Sequence, residues 1–592
     1  MSRIGYQPGS SERNNVISFM EDHVRNYPSR PALRWCKAAS LKAWIEAGAD
    51  PMKPIEHEEI SYGDFAATID RTAKGLMDLG IVKGDRVIIF LPMGLGMYSA
   101  MFAIQRLGAI AVFLDSWARA SQLGASAECV KPTAMISFPQ AFDLIEQVPE
   151  FKQMKLRIVA GLQGQGKSKG YDADLEVLMR TPGPSPIAAV ESEFTALITF
   201  TTGSSGKPKG ANRTHRFLAA QHEALSHVVP YHADDRDMPA FPIFSLNNLA
   251  SGVTTIIPGL NLAQPMEYDS AILACQTIHE KLTCATLSPS MLVNLARFCT
   301  DRKIPLDGLR RVATGGAPIS KDNVRDFAAV AKCADIWVLY GSTEVEPMAH
   351  IEAKEMLKQA GPSDPEILEE GVNVGHIDGK LEYKFLKIFD GPIDRPKESA
   401  DGRWVEEAGD LEVGHGQIGE FVVTGDHVCR DYYNNPEAFR STKIMDRKDR
   451  VWHRTGDLAF IDPRGYLWMV GRVHNAIRRG QEYFFPVRPE VLIKRLPGCR
   501  QGAFLGMPDT ELGNRTSVIL EPQDPKTFDR ELALSELERL FKKNKIPVDS
   551  IYIVDAVPMD PRHHSKVEYT VLRDRIVAEK LPDLAPKRGE RP

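Results

Sequence analysis

Apolar positions change period several times along the chain, and the changes mark out its parts. Residues 16–24 carry a helical pattern, and 36–60 read as a surface insertion. From Ser61 onward, Tyr62, Phe65, Ile69, Ala73 and Leu76 recur at helical spacing with Asp64 near the start, which predicts an amphipathic helix. Gly84-Asp85-Arg86 then leads into an apolar run at 87–91, and a helical stretch separates that run from another at 110–114. Short buried strands alternating with helices predict a mostly parallel sheet. Residues 161–186, rich in Gly, Lys, Ser and Pro, read as a loop joining two subdomains, after which the alternation resumes to about residue 350. Residues 370–470 are rich in Gly and β-branched residues, with hairpin signals. Beyond Gly471 a shorter pattern begins, with strands at 503–505, 517–520 and 551–554 and a charged helix from Arg530 to Lys543. The expected fold class is α/β, with a large N-terminal domain of layered α/β subdomains plus a β-rich subdomain, and a small α+β C-terminal domain. No internal repeat is visible.

One uncharged stretch, 87–105, has the length of a membrane span. Pro92, Gly94 and Gly96 divide it into a strand, a turn and a helix start, and Arg106 closes it, so a buried strand and helix fit better than a span. Composition narrows the class further. The 592 residues are 43% apolar and 26% charged, as in a soluble globular protein with more than one core. A net charge of −5 without a basic face speaks against nucleic acid. Eight cysteines are scattered singly with no Cys-x-x-Cys pair, as expected of idle thiols in a reducing compartment. The first residues lack the apolar core of a signal peptide. A cytoplasmic protein is expected, with peripheral membrane contact and a homodimer left open.

Five stretches carry chemistry. In Thr201-Thr202-Gly203-Ser204-Ser205-Gly206-Lys207-Pro208-Lys209-Gly210, glycines permit close backbone approach, and hydroxyls and lysines add donors. This is either an anion cradle for a polyphosphate or a solvated turn. It is not a Walker A loop, because Pro208 stands where that pattern needs Gly. Gly315-Gly316-Ala317-Pro318 could bring a flat ring against the backbone, or simply turn into a helix. Tyr340-Gly341-Ser342-Thr343-Glu344 ends in a hydroxyl and a carboxylate suited to Mg²⁺, or to a helix cap. Asp457, in Trp452-His453-Arg454-Thr455-Gly456-Asp457, can accept from both hydroxyls of a ribose, and Arg472 can fork between ribose and phosphate. Lys566, in Arg562-His563-His564-Ser565-Lys566, reads alone as a solvated charge.

In this order the five stretches resemble the adenylate-forming, AMP-binding superfamily of acyl-CoA synthetases and adenylation domains, across roughly residues 60–580. The resemblance implies ATP and Mg²⁺ as cofactors. Thr201, Thr202, Gly203, Ser204, Ser205, Gly206, Lys207 and Lys209 would hold the phosphates. Gly315, Gly316, Ala317 and Pro318 would line the adenine and Tyr340 would stack on it, with Gly341 and Ser342 also among the nucleotide-binding positions. Thr343 would meet the α-phosphate, Glu344 the Mg²⁺, and Asp457 with Arg472 the ribose. Lys566 would bridge carboxylate and α-phosphate, and Thr343 and His215 join it as catalytic candidates. The resemblance also implies division into an N-terminal domain at 1–472, a mobile C-terminal domain at 473–586 and a polar tail at 587–592. His474 and Asn475 are the hinge candidates, and Ser565 replaces the usual Gly before the late Lys.

The acid pocket is expected around Phe241, Phe244, Leu246 and the stretch after Gly252. It is apolar with one small polar patch and has no cation to pair with a second carboxylate, so the expected partner is a fatty or other hydrophobic carboxylic acid. For the second step the family implies transfer to CoA, giving an acyl-CoA. The alternative follows from Phe241-Pro242-x-Phe244-x-Leu246 and Arg562-His563-x-x-Lys566, which resemble the β-lactone synthetases of bacterial long-chain olefin synthesis. In these the hydroxyl of a β-hydroxy acid displaces AMP. A third reading is an inactive ATP-binding relative.

Overall fold

The computed structural model describes residues 14–114, 120–202, 207–261, 266–359, 364, 366–389, 391–399, 402–406, 409–559 and 567–585. A seven-stranded sheet runs in the order Ala173–Asp174, Leu156–Val159, Ala134–Ser137, Arg86–Phe90, Ile110–Phe113, Thr195–Thr202, Pro208–Thr214. Its pairings are parallel except the last, where Pro208–Thr214 returns antiparallel on Thr195–Thr202. The helix Tyr62–Asp78 starts where the sequence pattern does, capped by Ser61, whose side chain accepts from the Asp64 N–H. Its Phe65, Ile69, Ala73 and Leu76 enter one core with Met97, Met101 and Ile104 of the helix Leu95–Arg106. That second helix is buried from Met97 through Gln105, which explains the uncharged stretch. Among the described residues no helix is long and apolar enough to cross a membrane.

A fourteen-stranded sheet holds the middle of the chain. Its parallel part includes Arg236–Pro239, Cys284–Leu287, Arg311–Gly315 and Asp335–Ser342. Asp335–Ser342 then pairs antiparallel with Val345–Glu352, and Val345–Glu352 with Val372–Ile377. Through that seam the β-rich stretch of 372–472 continues the same sheet. At the opposite edge the structure corrects the insertion expected at 36–60. Pro31–Cys36 and His57–Ser61 pair as the sheet's edge, and the helix Ala38–Glu46 buries Trp44 against Ile272 and Cys275. The charged, exposed Glu58-Glu59 gave the edge strand no apolar alternation, as is common where an edge must resist pairing with another chain. The loop expected at 161–186 likewise contains the edge strand Ala173–Asp174 and the short helix Leu175–Leu178.

After Arg472 the chain forms a separate three-stranded sheet from Cys499–Asp509, Gly513–Pro522 and Ser550–Ile553. Phe504, Val518 and Leu520 face Leu537 and Phe541 of the helix Arg530–Lys543, while Ala503, Leu505 and Ile519 face Leu572 and Ile576 of the helix Tyr569–Ala578. Burial on both faces is why these strands read as unbroken apolar runs.

Candidate active site

Two antiparallel hairpins build the site. In the first, Thr201 lies opposite Lys209 and Thr202 opposite Pro208. Gly203, Ser204, Ser205 and Gly206 at its tip lie outside the described residues, as does Lys566. Gly210 is required by packing, since a Cβ there would come 2.9 Å from Ile198 Cγ2. In the second hairpin Ser342 pairs with Val345, which makes Thr343-Glu344 the tip of a tight turn. The Glu344 N–H donates to Ser342 Oγ at 3.3 Å. Arg213 Nη2 donates to the Thr343 carbonyl at 2.8 Å and so fastens the two hairpins together.

The Glu344 carboxylate is buried and accepts from Tyr432 Oη at 2.8 Å. Burial alone would raise its pKa, but neighbouring His453 and Lys443 and the Tyr432 bond hold it below the ordinary carboxylate range. Lys443 is itself buried, donating to the Cys429 carbonyl and lying 3.2 Å from His453 Nδ1. Tyr432 has Lys209 Nζ 6.0 Å and Lys443 Nζ 5.3 Å from its ring centroid. Burial lowers the Lys209 pKa, opposed by Glu344 and Glu437. Among the described residues no three His, Cys, Asp or Glu side chains gather as a metal cage. One ionised carboxylate fits Mg²⁺, which takes one or two carboxylates and leaves its other positions to phosphate and water.

Asp457 and Arg472 lie directly opposite on the strands Val451–Ile461 and Leu467–Arg472, and Arg472 Nε is 3.0 Å from Asp457 Oδ1. Tyr340 Oη donates to Asp457 Oδ2 at 2.7 Å. Burial, reinforced by Asp457, raises the Tyr340 phenol well above its ordinary pKa, so it stays a donor. Gly315 abuts the next strand so closely that a Cβ would lie 2.4 Å from the Leu339 carbonyl oxygen. Gly316 has φ +85° and, with Ala317, Phe241, Ser288 and Pro289, lines a narrow cleft. Phe244 is buried with Leu225, Val228 and Leu339, and Phe241 packs on that cluster.

Three expected residues sit elsewhere. His215 is fully buried at the start of the helix His215–Val228, where its Nδ1 accepts from the Val16 N–H at 3.1 Å. Burial, with Lys83 nearby, drives its pKa to about 3, so it is a neutral packing residue without access to a reacting group. Gly252, at φ +72°, faces the N-terminal helix: a Cβ would strike His23 Nδ1 at 2.4 Å. Leu246 packs at the margin of the first α/β core. Conversely, Arg213, Tyr432, Lys443 and Glu346 are brought to the site without a motif announcing them. Burial pushes the Glu346 carboxyl up to about 7, against the Arg213 charge. A lone Lys or Tyr carries no local signal of burial beside a carboxylate a hundred residues away.

A profile described as AMP-binding enzyme matches residues 20–433. The chain is 28% identical to the olefin beta-lactone synthetase of Stenotrophomonas maltophilia (strain K279a), covering 93% of this chain and 96% of that protein. It is 23% identical to the long-chain-fatty-acid–CoA ligase FadD13 of Mycobacterium tuberculosis, covering 91% and 96%. ATP-bound MatB from Rhodopseudomonas palustris superposes with a TM-score of 0.72 at 21% identity, over 95% of this chain and 99% of that one. The last likeness establishes the shared fold.

Proposed function

Because the chain belongs to the AMP-binding enzyme family, we propose that it joins ATP to a hydrophobic carboxylic acid as an acyl-adenylate and releases pyrophosphate. The observation that carries this reading is the segment 340–344. Its first residue, Tyr340, bonds the Asp457–Arg472 pair, and its last, Glu344, is the buried, ionised carboxylate beside Lys209. One short segment thus ties a ribose clamp to a metal-binding carboxylate at the mouth of a glycine-rich hairpin. In this reading Asp457 and Arg472 hold the ribose, and Gly315 to Pro318 with Tyr340 hold the adenine. Thr201, Thr202, Lys207 and Lys209, with the hairpin tip, hold the phosphates. Thr343 meets the α-phosphate, and Glu344 holds Mg²⁺. The metal supplies positive charge to the phosphate oxygens; the chain's own part is to orient the α-phosphate and keep water out. Phe241 and Phe244 form the apolar wall for the acid.

Asp457→Ala is expected to raise the KM for ATP about 10–150-fold, the range of a hydrogen bond to a charged group, measured by acid-dependent pyrophosphate exchange. An unchanged KM contradicts the ribose assignment.

For the second step we favour closure of a β-hydroxy acid to a β-lactone, because the olefin beta-lactone synthetase relative spans nearly the whole chain at the higher identity. Transfer to CoA is the second reading, supported by the fatty-acid–CoA ligase relative. The two separate on incubation with ATP, Mg²⁺ and a long-chain 3-hydroxy acid, with and without CoA. Lactone and AMP without CoA support the first reading; AMP release that requires CoA supports the second. We also propose the division at Arg472. The part beyond it has its own sheet and meets the N-terminal part through Leu368, which packs on its core, and through the polar pairs Glu366 with Arg539 and Lys543, and Arg488 with Glu370. Such an interface suits a domain that swings to deliver Lys566.

A further inference from the structure

Tyr432 has no assigned part in the reaction proposed above, yet it stands where the two hairpins of the site are fastened together. Residues 428–433 run across both. On the second hairpin, Val428 bridges antiparallel to Val345, and the Cys429 N–H donates to the Glu344 carbonyl at 2.7 Å. On the first, Tyr432 bridges to Ala211, and the Tyr433 N–H donates to the Gly210 carbonyl at 2.9 Å. The Asn212 N–H adds a bond to the Asp431 carbonyl at 3.2 Å. Backbone pairing on both sides thus sets the point from which the Tyr432 side chain enters. That side chain is buried, and its phenol donates to Glu344 Oε1 at 2.8 Å. Its ring centroid lies 6.0 Å from Lys209 Nζ and 5.3 Å from Lys443 Nζ. Among the described residues no second side chain hydrogen-bonds the Glu344 carboxylate.

A carboxylate at the tip of a turn can rotate, whereas Mg²⁺ demands near-ideal octahedral geometry from its ligands. Lys443 and His453 act on Glu344 by charge, which favours its ionised form but sets no direction. A hydrogen bond to one carboxylate oxygen does set a direction, and it leaves the other oxygen to a cation. Removing a partner of this kind, which touches the ligand and not the metal, typically costs about 10–100-fold in metal affinity. We infer that Tyr432 is a positioning residue, holding Glu344 Oε1 so that Oε2 meets the divalent cation that accompanies ATP. This rests on the reading of Glu344 as the metal-binding carboxylate of an adenylating site.

The test titrates Mn²⁺, read as loss of the free-ion electron paramagnetic resonance signal, with protein in excess over ATP and the acid omitted so that nothing turns over. Y432F keeps the ring beside Lys209 and removes only the hydroxyl. It is expected to weaken Mn²⁺ binding by about 10–100-fold, while binding ATP in EDTA as wild type does. In pyrophosphate exchange it should need correspondingly more Mg²⁺ for half-maximal rate and recover near-wild-type kcat once Mg²⁺ is raised. E344A is expected to weaken Mn²⁺ at least as much, and Y432F added to E344A to change little further, because the hydroxyl acts through Glu344. Unchanged Mn²⁺ affinity in Y432F, or an equal further loss in the E344A background, overturns the inference. A matching loss of metal-free ATP binding, or a Y432F that does not fold, also overturns it, because Tyr432 then supports the site as a whole. Mn²⁺ affinity unchanged in E344A refutes the reading of Glu344 itself. That result is distinct from failure of the Tyr432 role alone, in which E344A weakens Mn²⁺ and Y432F does not.

Discussion

Lys566→Ala is expected to lower acid-dependent pyrophosphate exchange by about 10²–10³-fold while nucleotide still binds, the loss typical of removing one preorganised donor from a developing negative charge. The reason is electrostatic. A carboxylate attacking the α-phosphate brings two anions together, and charge grows on the phosphoryl oxygens as the bond forms. Fixed cations are needed at that moment, and in the proposed reading Lys207 and Lys209 on the hairpin, Arg472 and the late lysine, Lys566, supply them. Lys209 sits beside Glu344 and Tyr432, and the bridge between the two reactants is the role that the family resemblance implies for Lys566. Because its share is taken in the transition state, kcat falls and nucleotide affinity holds. Lys566→Arg keeps the charge but changes its shape, and should recover only part of the rate. Near-wild-type exchange by the alanine variant contradicts the assignment.

The second large effect is on stability. Arg454 and Glu420 form an almost fully buried pair, with Arg454 Nη2 donating to Glu420 Oε2 at 2.6 Å and Nε at 3.0 Å. Arg454 also donates to the carbonyls of Gly391 at 2.6 Å and Phe389 at 2.9 Å, which ties the segment before Trp404 to the strand that carries Asp457. Glu420→Ala removes one partner and leaves a buried guanidinium unpaired, a change that costs about 3–5 kcal/mol. Chemical denaturation should show the transition of the β-rich part moving to lower denaturant, with Glu420→Gln falling between alanine and wild type. Because Asp457 rides on the same strand, affinity for ATP should weaken in parallel. An unchanged transition in Glu420→Ala would mean the pair holds nothing together.

The sequence disclosed most where periodicity and burial coincide. The helix Tyr62–Asp78 and the helix Arg530–Lys543 stand where the apolar spacing put them, since each has one buried face and one solvated face. The motif residues Tyr340, Glu344, Asp457 and Arg472 converge although they span more than a hundred residues, because the seam at Val345–Glu352 joins the parallel and antiparallel parts of one sheet. What stayed hidden depended on tertiary contact alone. His215 follows the phosphate hairpin closely in sequence, yet it turns inward to meet the N-terminal segment. Lys443 looks like any surface lysine until the fold buries it under Glu344. The edge strand His57–Ser61 lacked apolar alternation because its outward groups are charged.

Pyrophosphate exchange into ATP, measured with a panel of hydrophobic acids and Mg²⁺ in the absence of CoA, tests the central claim most directly. The account predicts exchange that requires both acid and metal and weakens in Asp457→Ala and Lys566→Ala. Hydrolysis of ATP to ADP and phosphate, or no exchange with any acid in the panel, would contradict it.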